Sequence, residues 1–149
     1  MSESLIQNKK AYFNYEIMEK FSAGMELFGF EVKAIKDRRG SLEGAYVVIR
    51  GGEAFLVGAN ILPIQPKNVP ADYDSHRNRK LLLTKKEIKK LADAEGQKGL
   101  TIVATSVYNS NRKLKIEIAI AKGKRQFDKR KSIMKRELDR EDERTLKNG

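Results

Sequence analysis

The chain has 149 residues, enough for one modest domain and a tail. Lys and Arg number 31 against 20 Asp and Glu, a formal charge of +11, and such a surplus favours a polyanionic partner because basic groups release counterions from phosphates. Cysteine is absent and His76 is the only histidine, which excludes disulfides, thiolate nucleophiles, thiolate metal sites and His-rich metal sites and fits a reducing cytoplasm. Residues 1–10 lack the apolar core of a signal peptide, and no apolar run approaches the ~20 residues that cross a bilayer, so a cytoplasmic protein with no membrane partner is expected.

From Lys10 to Ala121 the apolar pattern is mostly that of strands. Tyr12 to Leu27 predicts an aromatic-rich strand with a bend at Gly24, and Glu31 to Lys36, between Gly29 and Gly40, reads as a short helix. Ala45 to Arg50 and Ala54 to Asn60 flank Gly51-Gly52, a pair that tolerates positive φ and so signals a hairpin. Residues 67–79 are polar and aperiodic, with Pro66 and Pro70 nearby, and predict a long exposed loop. After Leu81 to Leu83, Thr84 and Glu87 have capping-box spacing, and Ile88, Leu91 and Ala92 give the stripe of an amphipathic helix that ends at Gly96 or Gly99. Leu100 to Tyr108 and Lys113 to Ala121 predict a second hairpin turning at Asn109-Ser110-Asn111. In its second arm Leu114, Ile116, Ile118 and Ile120 alternate with Lys113, Lys115, Glu117 and Ala119, which predicts one buried and one wet face.

The composition changes after Gly123. From Lys122 to the end eleven basic residues stand against six acidic ones, and the apolar residues are only Phe127, Ile133, Met134, Leu138 and Leu146. That is too little apolar area to offset ordering entropy, yet Lys135/Asp139 and Glu143/Lys147 have helical i, i+4 spacing. The expectation is two parts: residues 1–123 as a barrel and residues 124–149 as a basic tail that is disordered alone and helical on a partner. Five or six short strands, a capped helix and no parallel βαβ pattern place the fold as mainly β with short helices, a small antiparallel barrel of the OB type, a class that often binds nucleic acid.

No phosphate-binding loop, dinucleotide turn, Ser/His or Cys/His constellation is visible, and His76 lies in a polar loop without an evident partner, so no catalytic residue, metal or cofactor is assigned. A lone carboxylate at a helix start, such as Glu31, reads as a dipole-stabilised structural group. The basic clusters carry more: Arg77-Asn78-Arg79-Lys80 before a leucine run, Lys122-Gly123-Lys124-Arg125 after the last strand, and Lys129-Arg130-Lys131 with Phe127 as a stacking surface.

Asn8-Lys9-Lys10-Ala11, Gly29-Phe30-Glu31-Val32-Lys33, Gly52-Glu53-Ala54-Phe55-Leu56, Arg79-Lys80-Leu81-Leu82-Leu83, Lys98-Gly99-Leu100-Thr101, Ala121-Lys122-Gly123-Lys124 and Asp128-Lys129-Arg130 occur in one order along the chain. In these pieces the sequence resembles the SmpB family, the SsrA-binding proteins that partner transfer-messenger RNA in ribosome rescue. The resemblance implies an OB-type barrel that holds the tRNA-like domain of that RNA. It implies a tail that substitutes for the anticodon arm in the decoding region and mRNA path of the small subunit, on its ribosomal RNA, without covalent catalysis. Carried over by motif, Asn8, Lys9, Glu31, Lys33, Asn60, Arg79, Lys80, Lys122 and Lys124 are candidates for the barrel's RNA surface, which reverses the structural reading of Glu31. Phe127, Asp128, Lys129 and Arg130 match the start of the ribosome-reading tail, and Lys135 and Arg136 continue its charge. Two departures stand out. Lys36-Asp37-Arg38-Arg39 lacks the glycine the family has after its E-V-K motif, leaving the turn and Arg38 without an assigned role, and Asp74-Ser75 replaces an Asp-Pro turn. The alternative reading is a general OB-type ribosomal or single-strand RNA-binding protein.

Overall fold

The structure, a computed structural model, describes residues 3–64, 67 and 69–124. The expectations for Phe127, Asp128, Lys129, Arg130, Lys135 and Arg136, and for a conditional helix, lie outside these residues.

The elements in order are β1 (Glu3–Gln7), α1 (Lys9–Asn14), β2 (Tyr15–Met25), α2 (Gly29–Lys36), β3 (Gly40–Ser41), β4 (Tyr46–Arg50), β5 (Glu53–Val57), β6 (Asn60–Ile61), β7 (Arg79–Leu82), α3 (Lys85–Glu95), β8 (Leu100–Ser110) and β9 (Lys113–Gly123). Six strands pair antiparallel in the ring β8-β4-β5-β7-β2-β9, and β9 closes it by pairing along β8 from Lys113 to Lys122. Closure leaves the ring with little free sheet edge. This is the antiparallel barrel with short helices that the sequence predicts. Two joints are narrow: β4 meets β8 only at Tyr46↔Val103, and β2 meets β7 only at Gly24↔Leu82 and Met25↔Leu81. The eleven-residue β2 and β8 each carry a bulge, at Met18 and Thr105, which adds the local twist that long strands need to wrap a small barrel.

Ile35, Leu56, Leu81, Leu91, Ile102, Ile116 and Ile118 are all but fully buried in one core that joins the barrel to α2 and α3. Leu91 alone anchors α3 firmly, since truncating such a side chain to alanine costs about 2–5 kcal/mol. Thr84 and Glu87 form the expected reciprocal cap of α3, and Gly96 closes it. Gly51 and Gly52 both take positive φ, the conformation a two-residue turn requires between β4 and β5.

Three local expectations fail for identifiable reasons, and one strand lies outside them. Tyr12 and its neighbours form the end of α1 rather than the start of a strand, because Asn8 caps a helix there and turns the chain. Glu3–Gln7 adds an unexpected strand on the edge of β8. The β8–β9 turn sits at Asn111 and Arg112, both at positive φ, so each strand is longer than its apolar alternation. The wet face expected of β9 is partly dry: Ala119 and Ala121 are buried with Val103 under Ala11 of α1.

Candidate nucleic-acid interface

Glu31 stands at the third position of α2, and its side chain turns back to accept from the Phe28 amide at 2.8 Å. Its residue is 0% exposed, so a bare carboxylate there would be very unfavourable. Two guanidinium groups answer it. Arg77 donates through Nη2 at 2.6 Å and Nε at 3.2 Å, and Arg79 donates through Nε at 2.9 Å. Burial would raise the Glu31 pKa, but the Arg77 hydrogen bonds, the Phe28 amide and the Arg79 charge together outweigh it and hold the carboxyl below its ordinary value.

Arg79 is as buried as Glu31 and is satisfied on every side. Its Nη1 donates to the Ala59 and Arg77 carbonyls at 3.1 and 3.0 Å, and its Nη2 to the Ser75 carbonyl at 2.9 Å and the Tyr73 hydroxyl at 3.1 Å. That hydroxyl lies 3.0 Å from both Glu31 Oε2 and the Ile61 carbonyl, and its single proton serves one at a time. Burial first, and then the adjacent Glu31 carboxylate, raise the Tyr73 pKa. Residues 69–78 therefore form a loop pinned to the core at Tyr73 and Arg77 and by Arg79 at the start of β7. An Asx-type turn at Asp74, accepting from the His76 amide at 2.9 Å, does the work of the rigid turn that Asp74-Ser75 lacks.

At the surface over this network the Arg77 guanidinium lies 4.2 Å from the Phe28 ring centroid. Phe28 stacks on Phe30 at 5.4 Å, and Phe30 meets Tyr73 edge-on at 4.8 Å. Lys33 and Lys36 stand exposed on α2. Arg38, whose role the sequence left open, occupies the left-handed position that ends α2, with φ 61, and Arg39 N–H reaches back to the Ala34 carbonyl at 2.9 Å as a helix-terminating motif requires. Arg38 also bonds Glu3 Oε1 at 2.9 Å and the Ser4 carbonyl at 3.0 Å. Gly40 serves a different need: a Cβ there would lie 2.7 Å from Ile6 Cδ1.

A second group gathers around α1. Asn8 is buried; its Oδ1 accepts from the Ala11 amide at 3.3 Å, and its Nδ2 donates to the Leu42 and Ala104 carbonyls at 2.9 Å each. It ties α1, the segment after β3 and the β8 bulge together. Lys9 and Lys10 project from α1 into solvent, Lys10 pairing with Glu43 at 2.6 Å. At the far end of the helix Lys124 N–H donates to the Asn14 carbonyl at 2.9 Å and its Nζ to the Tyr12 carbonyl at 3.1 Å, a cation against a helix C-terminus. Lys122 is exposed beside it. A cleft of about 470 Å³ opens at this corner, lined by Asn8, Lys10, Tyr15, Tyr46 and Thr101 among others.

The structure thus places Lys9 at the start of α1 and Lys122 and Lys124 at its far end, and Lys33 on α2 and Asn60 in the short β3–β6 pair that α2 contacts. Asn60 Oδ1 is shielded and has no hydrogen-bond partner among the described residues. Lys80 faces outward from β7 to Glu53 at 3.1 Å and joins neither group; that hydrogen bond raises its pKa. Asn8, Glu31 and Arg79, expected at the RNA surface, are buried, and their polar atoms are engaged within the protein. Arg79 shares the inward parity of Leu81 across β7, and that period of two was readable in the sequence. Phe28, Tyr73 and Arg77, which join the Glu31 network and its aromatic surface, were not among the sequence candidates; only the basic run containing Arg77 hinted at them.

Among known proteins, the family model described as SmpB protein matches residues 5–148. The SsrA-binding protein of Ralstonia pickettii (strain 12J) is 44% identical over 144 residues, covering 97% of each chain. That of Polaromonas sp. (strain JS666 / ATCC BAA-500) is 46% identical over 143 residues, covering 96% of each. A solved structure described as "tmRNA-SmpB: a journey to the center of the bacterial ribosome" superposes with a TM-score of 0.68 at 34% identity, covering 85% of this chain and 92% of that one. With a family match across nearly its whole length, relatives at this identity and the same barrel, the chain belongs to the SmpB family.

Proposed function

We propose that this protein binds the tRNA-like domain of transfer-messenger RNA and delivers it to stalled ribosomes for trans-translation, the barrel of residues 1–123 capturing the RNA and the tail of residues 124–149 standing in for an anticodon arm in the decoding region. The observation that carries this reading is the family match over residues 5–148, which spans barrel and basic tail together. The chemistry agrees. The chain has an excess of cations, and Lys9, Lys33 and Lys122 are exposed on the barrel, where each can neutralise a phosphate. In the tail, Lys129, Arg130, Lys135 and Arg136 supply cations for the phosphates of small-subunit RNA along the mRNA path, and Phe127 a ring for stacking. The proposed work is cytoplasmic, and no helix among the described residues is long and apolar enough to cross a membrane.

Covalent catalysis has no part in the proposal. His76 is exposed with Ser75 Oγ 3.3 Å from Nδ1, and among the described residues no group of three His, Cys, Asp or Glu could hold a metal. His76→Ala is expected to leave RNA capture and rescue unchanged.

The test is recovery of the protein from cells followed by sequencing of the RNA it carries. One dominant structured RNA supports the proposal; a broad mixture would favour the general single-strand binder instead. A paired assay then separates the two parts: deleting the residues after Phe127 is expected to spare RNA capture and abolish peptide tagging of stalled chains. Equal loss of both would contradict the division of labour.

A further inference from the structure

We infer that the Phe28 ring and the Arg77 guanidinium form a stacking platform for an unpaired nucleobase of the bound RNA, an inference that rests on the RNA-binding reading above. Phe28 occupies the position before the first turn of α2, where Ser, Thr, Asp or Asn would accept a backbone N–H and stabilise the helix. Phenylalanine has no acceptor, so the helix forgoes that contribution. The ring is also 50% exposed, so it gains only part of the benefit of burial. A single exposed phenylalanine is ordinary by itself. What distinguishes this one is how firmly it is held.

Its own amide is fixed by Glu31 at 2.8 Å. Phe30 packs against the ring at 5.4 Å with the planes 26° apart, and Phe30 is braced edge-on by Tyr73, whose hydroxyl belongs to the Glu31–Arg79 network. Arg77 lies 4.2 Å over the ring and is held by Glu31 through two nitrogens and by the Glu26 carbonyl at 3.3 Å. The charge of Arg77 is thus held over an aromatic ring, with 26% of its side chain exposed. Guanidinium planes and aromatic rings are the two surfaces on which proteins stack unpaired RNA bases, and here they are joined and ordered before any ligand arrives. Preorganisation matters because side chains ordered beforehand add no ordering cost on binding. Lys33 and Lys36, exposed on the same helix, supply cations for the flanking phosphates. Every base has a π-face, so the platform recognises that a base is unstacked rather than which base it is.

The chain contains no tryptophan, so Phe28→Trp installs a lone indole reporter at the platform. The full chain carrying it is titrated with a transcript of the tRNA-like domain while binding is followed independently by filter retention. The expected result is indole quenching that saturates with binding, with Phe28→Trp binding as tightly as the unsubstituted chain. Phe28→Leu, which keeps apolar area but has no ring, is expected to bind about tenfold more weakly. Circular dichroism on each variant confirms folding. Normal binding of Phe28→Trp without quenching, or full affinity in Phe28→Leu, would overturn the platform while leaving the RNA-binding reading intact. Failure of the unsubstituted chain to bind the transcript would overturn that reading, and the platform with it.

Discussion

The Glu31 network and the α1 corner use motif residues in opposite ways. Around Glu31 the charges are inside: a carboxylate and the Arg79 guanidinium are both wholly buried, and Arg77 is the only member of the ion-paired trio that reaches the surface. Around α1 the buried group is the neutral amide of Asn8, and the cations Lys9, Lys10 and Lys122 stand in water. The motif residues are therefore of two kinds, exposed cations and buried groups engaged within the fold, and burial separates them where sequence identity does not. The distinction predicts different phenotypes: stability loss for the buried members, weaker binding and altered salt response for the exposed ones.

The largest effect is expected from Glu31→Ala. It leaves the Arg79 guanidinium in the interior without its anion, and breaking a buried pair from one side costs about 3–5 kcal/mol. Urea denaturation of the variant should show the midpoint falling with little change in slope, and RNA affinity should fall because Arg77 and Phe28 lose their anchor. The same network sets the acid response. The folded pKa of Glu31 lies below the ordinary glutamate value, so its contribution is full above that value and is lost as the pH falls through the folded pKa. Stability should thus rise with pH across the window just below the ordinary glutamate value, and Glu31→Gln should flatten that slope. An unchanged slope in Glu31→Gln would show that other carboxylates govern acid unfolding.

Asn8→Ala comes next. It strands the Leu42 and Ala104 carbonyls and removes the cap of α1, at about 1 kcal/mol for each lost interaction and so roughly 2–3 kcal/mol in all. Because the amide is neutral, the dependence of RNA affinity on salt should keep its slope. A shallower slope would mean that Asn8 places Lys9 on the RNA more directly than the buried geometry suggests.

The exposed cations supply the contrast. Lys9→Ala and Lys33→Ala are each expected to change stability by less than about 0.5 kcal/mol. Each should lower the log–log salt slope of binding by about 0.9 if it neutralises a duplex phosphate. Lys80→Ala tests the comparison from outside, since Lys80 is engaged with Glu53 away from both groups; RNA affinity should be unchanged.

What the sequence revealed and what it hid follow the same division. The period-two run of β9, the Gly51-Gly52 turn and the Thr84 cap are local signals, and local signals sufficed for the second half of the barrel and for α3. The Glu31 network is not local. Tyr73, Arg77 and Arg79 lie 42 to 48 positions from Glu31, and nothing in the run from Tyr73 to Arg77 announces that the side chains of those two residues turn toward it. Read alone, Glu31 suggests a structural carboxylate; read through its motif it is a candidate for the RNA surface; the geometry shows it buried and held by Arg77 and Arg79. Asn8 hid for a related reason, since its two long-range partners are backbone carbonyls and carry no side-chain signature.

Arg38 sharpens the comparison most finely, because it is a cation engaged in structure at the surface rather than in the core. Its left-handed φ of 61 costs a residue with a Cβ about 1 kcal/mol relative to glycine. Against that, its pair with Glu3 is exposed and contributes about 0–1 kcal/mol, and its hydrogen bond to the Ser4 carbonyl adds a similar amount. Arg38→Gly removes the strain and the contacts together, so the two changes offset each other to within about 0.5 kcal/mol. Arg38→Ala removes the contacts and keeps the strain, so it should be less stable than Arg38→Gly by about 1 kcal/mol. Urea midpoints of the three proteins measure both differences. Equal stability of the alanine and glycine variants would show that the end of α2 relaxes when the arginine leaves. A glycine variant well below the parent would show that the β1 tether holds more of the fold than an exposed ion pair ordinarily does, placing Arg38 with the buried members of the comparison rather than the solvated ones.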